Sequence, residues 1–294
     1  MEEGRLAELK EHSVFVGSNP DLVQASGGNT SWKNGSAVWV KGSGKRLKDA
    51  LAEDIFSIIN FGALTEKAIA SSQDFSANVA NSTSPSIEAN FHILIKNNFV
   101  THLHSLGAIS ISVSSENVRS KILDSGISFV PYSRPGVNLA QAIQKTRNFQ
   151  TNTLVLQNHG AIFSDSTCSN IERKVEIFES QVKNLFENLI QESRLPDWIE
   201  ILVSGVLTPD EAVFLGRTPF VESNISTSNS VSINGDGDLL FPEGFSQDRI
   251  ELAYFYVRVA KLIEKKTSVR YLPIEEVDSL LDWDKEKARI AMAK

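Results

Sequence analysis

Two of the chain's five histidines stand one residue apart, in the apolar stretch FVTHLHSLGAIS that begins at residue 99. The alternation at residues 99–104 predicts a β-strand, in which residues i and i+2 point to the same face. His102 and His104 would then project side by side, with Leu103 packed on the opposite face. This geometry suits two ligands of one metal ion. The alternative is a pair of hydrogen-bonded histidines on a half-exposed strand.

A third histidine follows in LVLQNHGAIF, where a strand rich in valine and leucine breaks at Asn158-His159-Gly160. A polar pair followed by glycine at a strand end is a typical way to present a side chain into a cleft. Three neutral imidazoles on strands, with room for a water or a substrate, form a zinc site of the catalytic type. Taken alone, His159 also fits a turn residue with a local hydrogen bond.

A carboxylate in the segment SPSIEANFH can join these histidines. Pro85-Ser86 predicts a helix start, which puts Glu88 in the first turn, at the positive end of the helix dipole. Glu88 could ligate a metal or move a proton there, or it could simply stabilise the helix. His92, four residues later, would share its helical face, so a local Glu/His metal pair is one alternative. For His92, a buried helix histidine bonded to a neighbour is the commoner case.

Two loops of small residues could cradle a phosphate, because they offer backbone N–H groups, hydroxyls and amides without bulky side chains. They are SGGN at residues 26–29 and KGSGK at residues 41–45. No Walker A motif fits them, since Lys45 is followed by Arg46, and the G-x-G-x-x-G dinucleotide pattern is absent. Each loop alone could be an ordinary turn.

The elements that must position these residues alternate between strand and helix through the first 195 residues, which predicts a layered α/β domain. A turn at Lys33-Asn34-Gly35 predicts a hairpin. A long helix is predicted over 167–193, before Pro196. The Ser/Asn-rich connector at 223–232 is the best candidate boundary. We therefore predict a catalytic domain over 1–222, then a connector and a helical appendage over 223–294, with helices at 246–266 and 274–293.

Bulk composition excludes several classes of protein. The net charge of −7 and the pI near 5.4 argue against nucleic acid or an anionic membrane as the main partner. The single cysteine, Cys168, allows no internal disulfide and no Cys-based zinc finger. No signal-peptide pattern and no run of about 18 apolar residues occurs. The sequence therefore predicts a soluble, cytoplasmic protein.

The order of the short motifs carries more information than any one of them. G-N-x-S, x-K-G-S-G, P-S-x-E-x-x-x-H, H-x-H-S and N-H-G follow one another between Ala25 and Glu192. This succession resembles the class II aldolase/adducin family. The segments WVKGSG and LTPDEAV, the latter at residues 207–213, resemble most closely the aldolase half of bifunctional rhamnulose-1-phosphate aldolase/dehydrogenases. The dehydrogenase half is missing.

The resemblance implies a three-layer α/β/α domain with a largely antiparallel sheet, and a homotetramer. It implies His102, His104 and His159 as ligands of Zn2+ or another divalent metal, with Glu88 as the acid/base and a ligand of the resting site. The substrate phosphate would be bound by residues of three short segments, namely Gly28, Asn29, Ser43, Gly44 and Ser86.

The implied reaction is cleavage of a ketose 1-phosphate to dihydroxyacetone phosphate and an aldehyde. A second acid/base is needed, and Tyr132 is the candidate; Tyr254, Tyr256 and Tyr271 are not ranked. Two alternatives stay open: a sugar-phosphate epimerase or dehydratase on the same metal site, and a non-catalytic adducin-like interaction protein. Ile87, where several relatives have a second serine, and the long C-terminal region depart from the family pattern and leave the substrate open.

Overall fold

A sheet of seven strands forms the centre of the computed structural model, which describes residues 2–123, 126–146, 149–150, 153–284 and 287. Its strands are β1 (Asn29–Asn34), β2 (Ala37–Lys41), β3 (Phe56–Asn60), β4 (Phe99–Leu103), β5 (Ser128–Val130), β6 (Thr153–Leu156) and β7 (Gly160–Asp165). The strand order is β3-β2-β1-β4-β7-β6-β5. All neighbours are antiparallel except β5 and β6, which are parallel. The predicted α/β class with a largely antiparallel sheet is confirmed.

One face of the sheet is covered by α1 (Glu2–Gly17), α4 (Leu106–Val113), α5 (Glu116–Leu123) and α7 (Cys168–Asn188). Helix α7 begins where the sequence predicts it, because the Thr167 hydroxyl accepts from the N–H of Asn170 and caps the first turn. Its buried residues recur every three or four positions and form one apolar stripe. Phe99 and Leu103 of β4 point into this layer.

The other face is covered by α2 (Glu66–Ser71), α3 (Ala89–Leu94) and α6 (Val137–Lys145). Val100 of β4 and Ile162 of β7 pack there against Phe91 of α3 and Leu139 of α6. Because successive residues of a strand face opposite ways, β4 is buried on both sides. The three-layer α/β/α arrangement is confirmed.

The C-terminal region is mainly helical, as predicted, with α8 (Trp198–Val203), α9 (Pro209–Leu215), α10 (Gln247–Ile263) and α11 (Ile274–Leu281). A small sheet of β8 (Phe220–Glu222), β9 (Val231–Ile233) and β10 (Leu239–Leu240) adds to it. Helix α10 packs on α4 and shares its buried core. The domain boundary at 222/223 stays a prediction. Of the helix predicted over 274–293, residues 285–286 and 288–293 lie outside the described residues.

Candidate metal centre

His102 lies near the end of β4, in the middle of the sheet, and is fully buried on the face that carries α3. Its Nδ1 lies 3.0 Å from the carbonyl oxygen of Ala161 on the neighbouring strand β7. Since a carbonyl only accepts, Nδ1 carries the hydrogen and donates it. The neutral ring therefore has its lone pair on Nε2, the atom that is free to bind a metal.

His104 lies just beyond the end of β4, and its Nε2 is 2.9 Å from Nε2 of His102. Its Nδ1 lies 2.9 Å from Oδ2 of Asp210, so Nδ1–H donates to that carboxylate. Both Nε2 atoms then turn lone pairs toward each other at hydrogen-bonding distance. Two lone pairs repel unless a proton or a cation lies between them. Two neutral imidazoles so arranged fit a shared cation.

His159 reaches the same place from the turn between β6 and β7. Asn158 has a φ of 55°, in the left-handed region, and its Nδ2 donates to the carbonyls of Leu207 and Arg270, each at 2.7 Å. Gly160 has a φ of 149°, and a Cβ there would collide with the carbonyl oxygen of Leu103. This tight turn places the His159 ring centroid 4.8 Å from that of His102.

The three histidines form one cluster, with one possible ligand atom from each within 4.8 Å of the others. Glu88 closes it: Oε1 lies 3.4 Å from Nε2 of His159, and Oε2 lies 3.8 Å from Nε2 of His102. Glu88 is the N-cap residue of α3 rather than a residue of its first turn, and its side chain makes no capping hydrogen bond. The carboxylate is therefore directed at the histidines and not at its own helix.

The charge states in this cluster suit metal binding. Burial lowers the pKa of His102 to about 4 and that of His159 to about 3, so both rings are neutral at neutral pH. Burial would raise the pKa of Glu88, but in acid, where His102 and His159 become charged, their attraction together with the hydrogen bond from Asn29 outweighs it and lowers the pKa to about 2. Neutral imidazoles and an ionised carboxylate are the forms that bind cations.

Two buried atoms of the cluster, Nδ1 of His159 and Oε1 of Glu88, have no hydrogen-bond partner among the described residues. A buried polar atom without a partner costs about 1–3 kcal/mol. With three nitrogen donors and a carboxylate oxygen, the donor set matches zinc chemistry. The cluster therefore fits a divalent ion, which would give Oε1 of Glu88 the partner that it lacks.

Glu88 is held by a short chain of buried hydrogen bonds. Asn29 Nδ2 donates to Glu88 Oε2 at 2.9 Å, and Asn29 Oδ1 accepts from Nε2 of His92. Nδ1 of His92 in turn accepts from the Ser31 hydroxyl at 2.7 Å. His92 thus takes the commoner alternative, a helix histidine bonded to its neighbours. Its position fixes which end of the Asn29 amide faces Glu88.

The segments predicted to bind phosphate come together beside Glu88. Ser43 N donates to the carbonyl of Ser84, which ties the Gly42–Gly44 loop to the segment that contains Ser86. The Lys41 ammonium is buried and donates to the carbonyl of Ser26 at 2.6 Å, which ties in the loop that precedes Gly28 and Asn29. A Cβ on Gly28 would lie 2.8 Å from the carbonyl oxygen of His102, at a φ of 58°.

The side chain of Tyr132 makes its hydrogen bond with helix α11. Its hydroxyl donates to Glu276 of α11 at 2.9 Å, and Arg134 binds the same carboxylate through two nitrogen atoms. Burial, followed by the charge of Glu276, raises the Tyr132 pKa. Among the unranked tyrosines, Tyr254 is half exposed, Tyr256 is buried against Thr208, and Tyr271 packs close to Gly205. The catalytic role of Tyr132 stays a prediction, as do the other site roles.

Sequence reasoning missed Asp210 as a residue of the site. In the segment LTPDEAV, Thr208-Pro209 is a recognisable helix start, yet nothing in the sequence indicates that the next residue faces His104.

The chain matches the family model of the Class II Aldolase and Adducin N-terminal domain over residues 17–184. It belongs to this family. The L-fuculose phosphate aldolase of Methanocaldococcus jannaschii is 28% identical in an alignment of 179 residues that covers 57% of this chain and 88% of that protein.

Among solved structures, the N-terminal Class II Aldolase domain of a conserved protein from Thermoplasma acidophilum is 26% identical, with a TM-score of 0.49 over 60% of this chain and 91% of that one. A sugar-phosphate aldolase from Thermotoga maritima is 14% identical, with a TM-score of 0.49 over 63% and 95%. Across the described residues, the helices are too short or too polar to cross a membrane.

Proposed function

We propose that this protein is a metal-dependent class II aldolase that cleaves a ketose 1-phosphate to dihydroxyacetone phosphate and an aldehyde. The observation that carries the proposal is the buried cluster of His102, His104 and His159 with Glu88 turned toward it. Family membership and the resemblance to an L-fuculose phosphate aldolase support the choice of reaction.

The three histidines would hold the metal through nitrogen atoms, and Glu88 would complete the resting site. Zinc is our choice of metal, because it prefers this mixture of imidazole and carboxylate ligands and keeps a position open for substrate in catalytic sites. A bound divalent ion would act as a Lewis acid that polarises the substrate carbonyl and stabilises the negative charge that develops beside it.

Glu88 would transfer the proton to and from the substrate carbon at which the bond is made and broken. In the synthetic direction, its ionised carboxylate removes a proton from the hydroxymethyl carbon of dihydroxyacetone phosphate, and in cleavage the same proton returns. The lowered pKa of Glu88 keeps its carboxylate ionised in the resting site. Asn29 Nδ2 holds one carboxylate oxygen, which leaves the other, Oε1, to face the substrate.

The phosphate of the substrate would be bound by Gly28, Asn29, Ser43, Gly44 and Ser86, with the buried Lys41 ammonium supplying positive charge to the loops. Tyr132 remains our candidate for the proton transfer at the hydroxyl group. Because its pKa is raised, Tyr132 stays protonated at neutral pH; in the synthetic direction it would give this proton to the aldehyde oxygen, and in cleavage it would take it back. We propose a homotetramer, the assembly that the resemblance implies.

A panel of ketose 1-phosphates, including L-fuculose 1-phosphate and L-rhamnulose 1-phosphate, tests the reaction. We expect at least one to release dihydroxyacetone phosphate, detected with a coupled dehydrogenase. Glu88→Gln should abolish the release, whereas Glu187→Gln, at an exposed position on α7, should not. Accumulation of an epimer or a dehydrated sugar without dihydroxyacetone phosphate would overturn the aldolase assignment, and full turnover by Glu88→Gln would remove Glu88 from its role.

A further inference from the structure

A carboxylate from outside the family-matched region touches the histidine cluster. Asp210 lies in α9, beyond residue 184, and is buried, with 6% of its surface exposed. Its Oδ2 lies 2.9 Å from Nδ1 of His104. The C-terminal region thus reaches a candidate metal ligand directly, 106 residues along the chain from it.

Asp210 is held in place by the start of its own helix. The Thr208 hydroxyl caps α9 by accepting from Glu211 N at 3.2 Å, and it also bonds to the hydroxyl of Tyr256 on α10. Glu211 Oε2 accepts from Leu207 N at 2.5 Å, which closes the turn that precedes the helix. These buried contacts fix the residues on both sides of Asp210, the segment from which its carboxylate reaches His104.

Gly27 has no side chain, which leaves room for the His104–Asp210 pair. A Cβ on Gly27 would lie 3.1 Å from Nδ1 of His104 and 3.2 Å from Oδ2 of Asp210. Both distances are tighter than those of ordinary Cβ contacts. Gly27 therefore matters through its size, because a methyl group at this position would press on the two atoms that form the hydrogen bond.

The hydrogen bond decides which nitrogen of His104 can bind a metal. With Nδ1–H donated to Asp210, the lone pair lies on Nε2, which faces Nε2 of His102. A carboxylate behind a ligating histidine fixes its tautomer and orientation and increases its basicity. The C-terminal region also stabilises the turn that carries His159, because Asn158 in that turn donates to the carbonyls of Leu207 and Arg270.

We infer that Asp210 is a positioning residue for the metal centre, which fixes His104 with Nε2 available as a ligand, and that the C-terminal region is in this way part of the site. The inference rests on the proposed function, because it requires that the histidines bind a metal. It assigns to α9 a role that the family-matched residues alone do not supply.

The test is metal affinity, measured on the full chain by competition between the protein and a chelator for Zn2+ and for Co2+. We expect Asp210→Asn to weaken metal binding about 10-fold, because an amide oxygen still accepts the hydrogen. Asp210→Ala, which removes the acceptor, should weaken it about 100-fold. Gly27→Ala should also weaken binding, although it leaves both partners in place. Asp165→Asn is the matched control, since Asp165 pairs with Lys174 away from the cluster.

The ring nitrogens provide a second measurement that a general loss of stability would not change. In the metal-free wild type, 15N spectra should show a hydrogen on Nδ1 of His104, and in Asp210→Ala they should show loss of that preference. Should Asp210→Ala fail to fold, Asp210→Asn and Gly27→Ala decide the matter through their affinities.

The possible outcomes separate this inference from the proposed function. If the wild type binds neither Zn2+ nor Co2+, both are overturned. If it binds one ion per chain and all the folded variants match it within twofold, only the role of Asp210 is overturned. A weakening in the Asp210 and Gly27 variants that Asp165→Asn does not share supports the inference.

Discussion

His92 offers a sharp test of how the buried polar network supports Glu88. Replacing it by phenylalanine keeps a ring of similar size in a fully buried position but removes its two hydrogen bonds. Asn29 Oδ1 then loses its donor, and the Ser31 hydroxyl keeps only a long contact of 3.5 Å to the carbonyl of Val100. An unsatisfied buried group costs about 1–3 kcal/mol. With about 1 kcal/mol more for the hydrogen bond that Ser31 loses, we expect His92→Phe to be destabilised by about 2–4 kcal/mol.

The same replacement should also lower turnover, because the Asn29 amide is no longer oriented and Glu88 loses its fixed donor. His12→Phe is a matched control: His12 is equally buried and bonds to Thr101 and Glu172, but on the opposite face of the sheet. Urea unfolding of metal-free protein gives the stability of each variant, and turnover is measured per folded molecule.

Both variants should lose stability, and only His92→Phe should lose turnover. Equal turnover in the two variants, or a loss of less than about 1 kcal/mol in His92→Phe, would refute this reasoning about the network.

Two further predictions concern the glycine turn and a buried acid. Gly160→Ala should lower Zn2+ affinity and stability, since its Cβ meets the Leu103 carbonyl. The control Gly126→Ala has open space around its Cβ and should keep the Zn2+ affinity of the wild type. Unchanged metal binding in Gly160→Ala would contradict this prediction. Burial raises the Glu211 pKa from 4.5 to about 8. Between these values the native state holds a proton that the unfolded chain releases, so the free energy of unfolding should fall as the pH rises from 5 to 8, by at most about 5 kcal/mol. Glu211→Gln should flatten the urea midpoint across that range, apart from the smaller contribution of Glu179, whose pKa is about 7; an unaltered pH profile would speak against it.

Much of the fold and the cluster follows from local patterns. The spacing of His102 and His104 in an alternating strand predicts their approach, and the hairpin turn before Ala37 pairs β1 with β2 as expected. His159 could be proposed because a strand ends there at a glycine. Each of these signals lies within a few residues of the feature that it predicts.

Contacts across long stretches of chain could not be predicted in this way. Nothing periodic relates Asp210 to His104, or Tyr132 to Glu276, which are 144 residues apart. The strands β8 to β10 have only two or three residues each, too few for a recognisable alternation. Such contacts depend on how helices pack in the C-terminal region, which local sequence does not encode.

The dependence of sugar-phosphate cleavage on metal tests the central claim most directly. The protein is stripped with a chelator and assayed for release of dihydroxyacetone phosphate while Zn2+ is added back. We predict no release from the stripped protein and full recovery at one equivalent per chain. Full turnover without metal, or no release from any ketose 1-phosphate after one equivalent has bound, would contradict the claim.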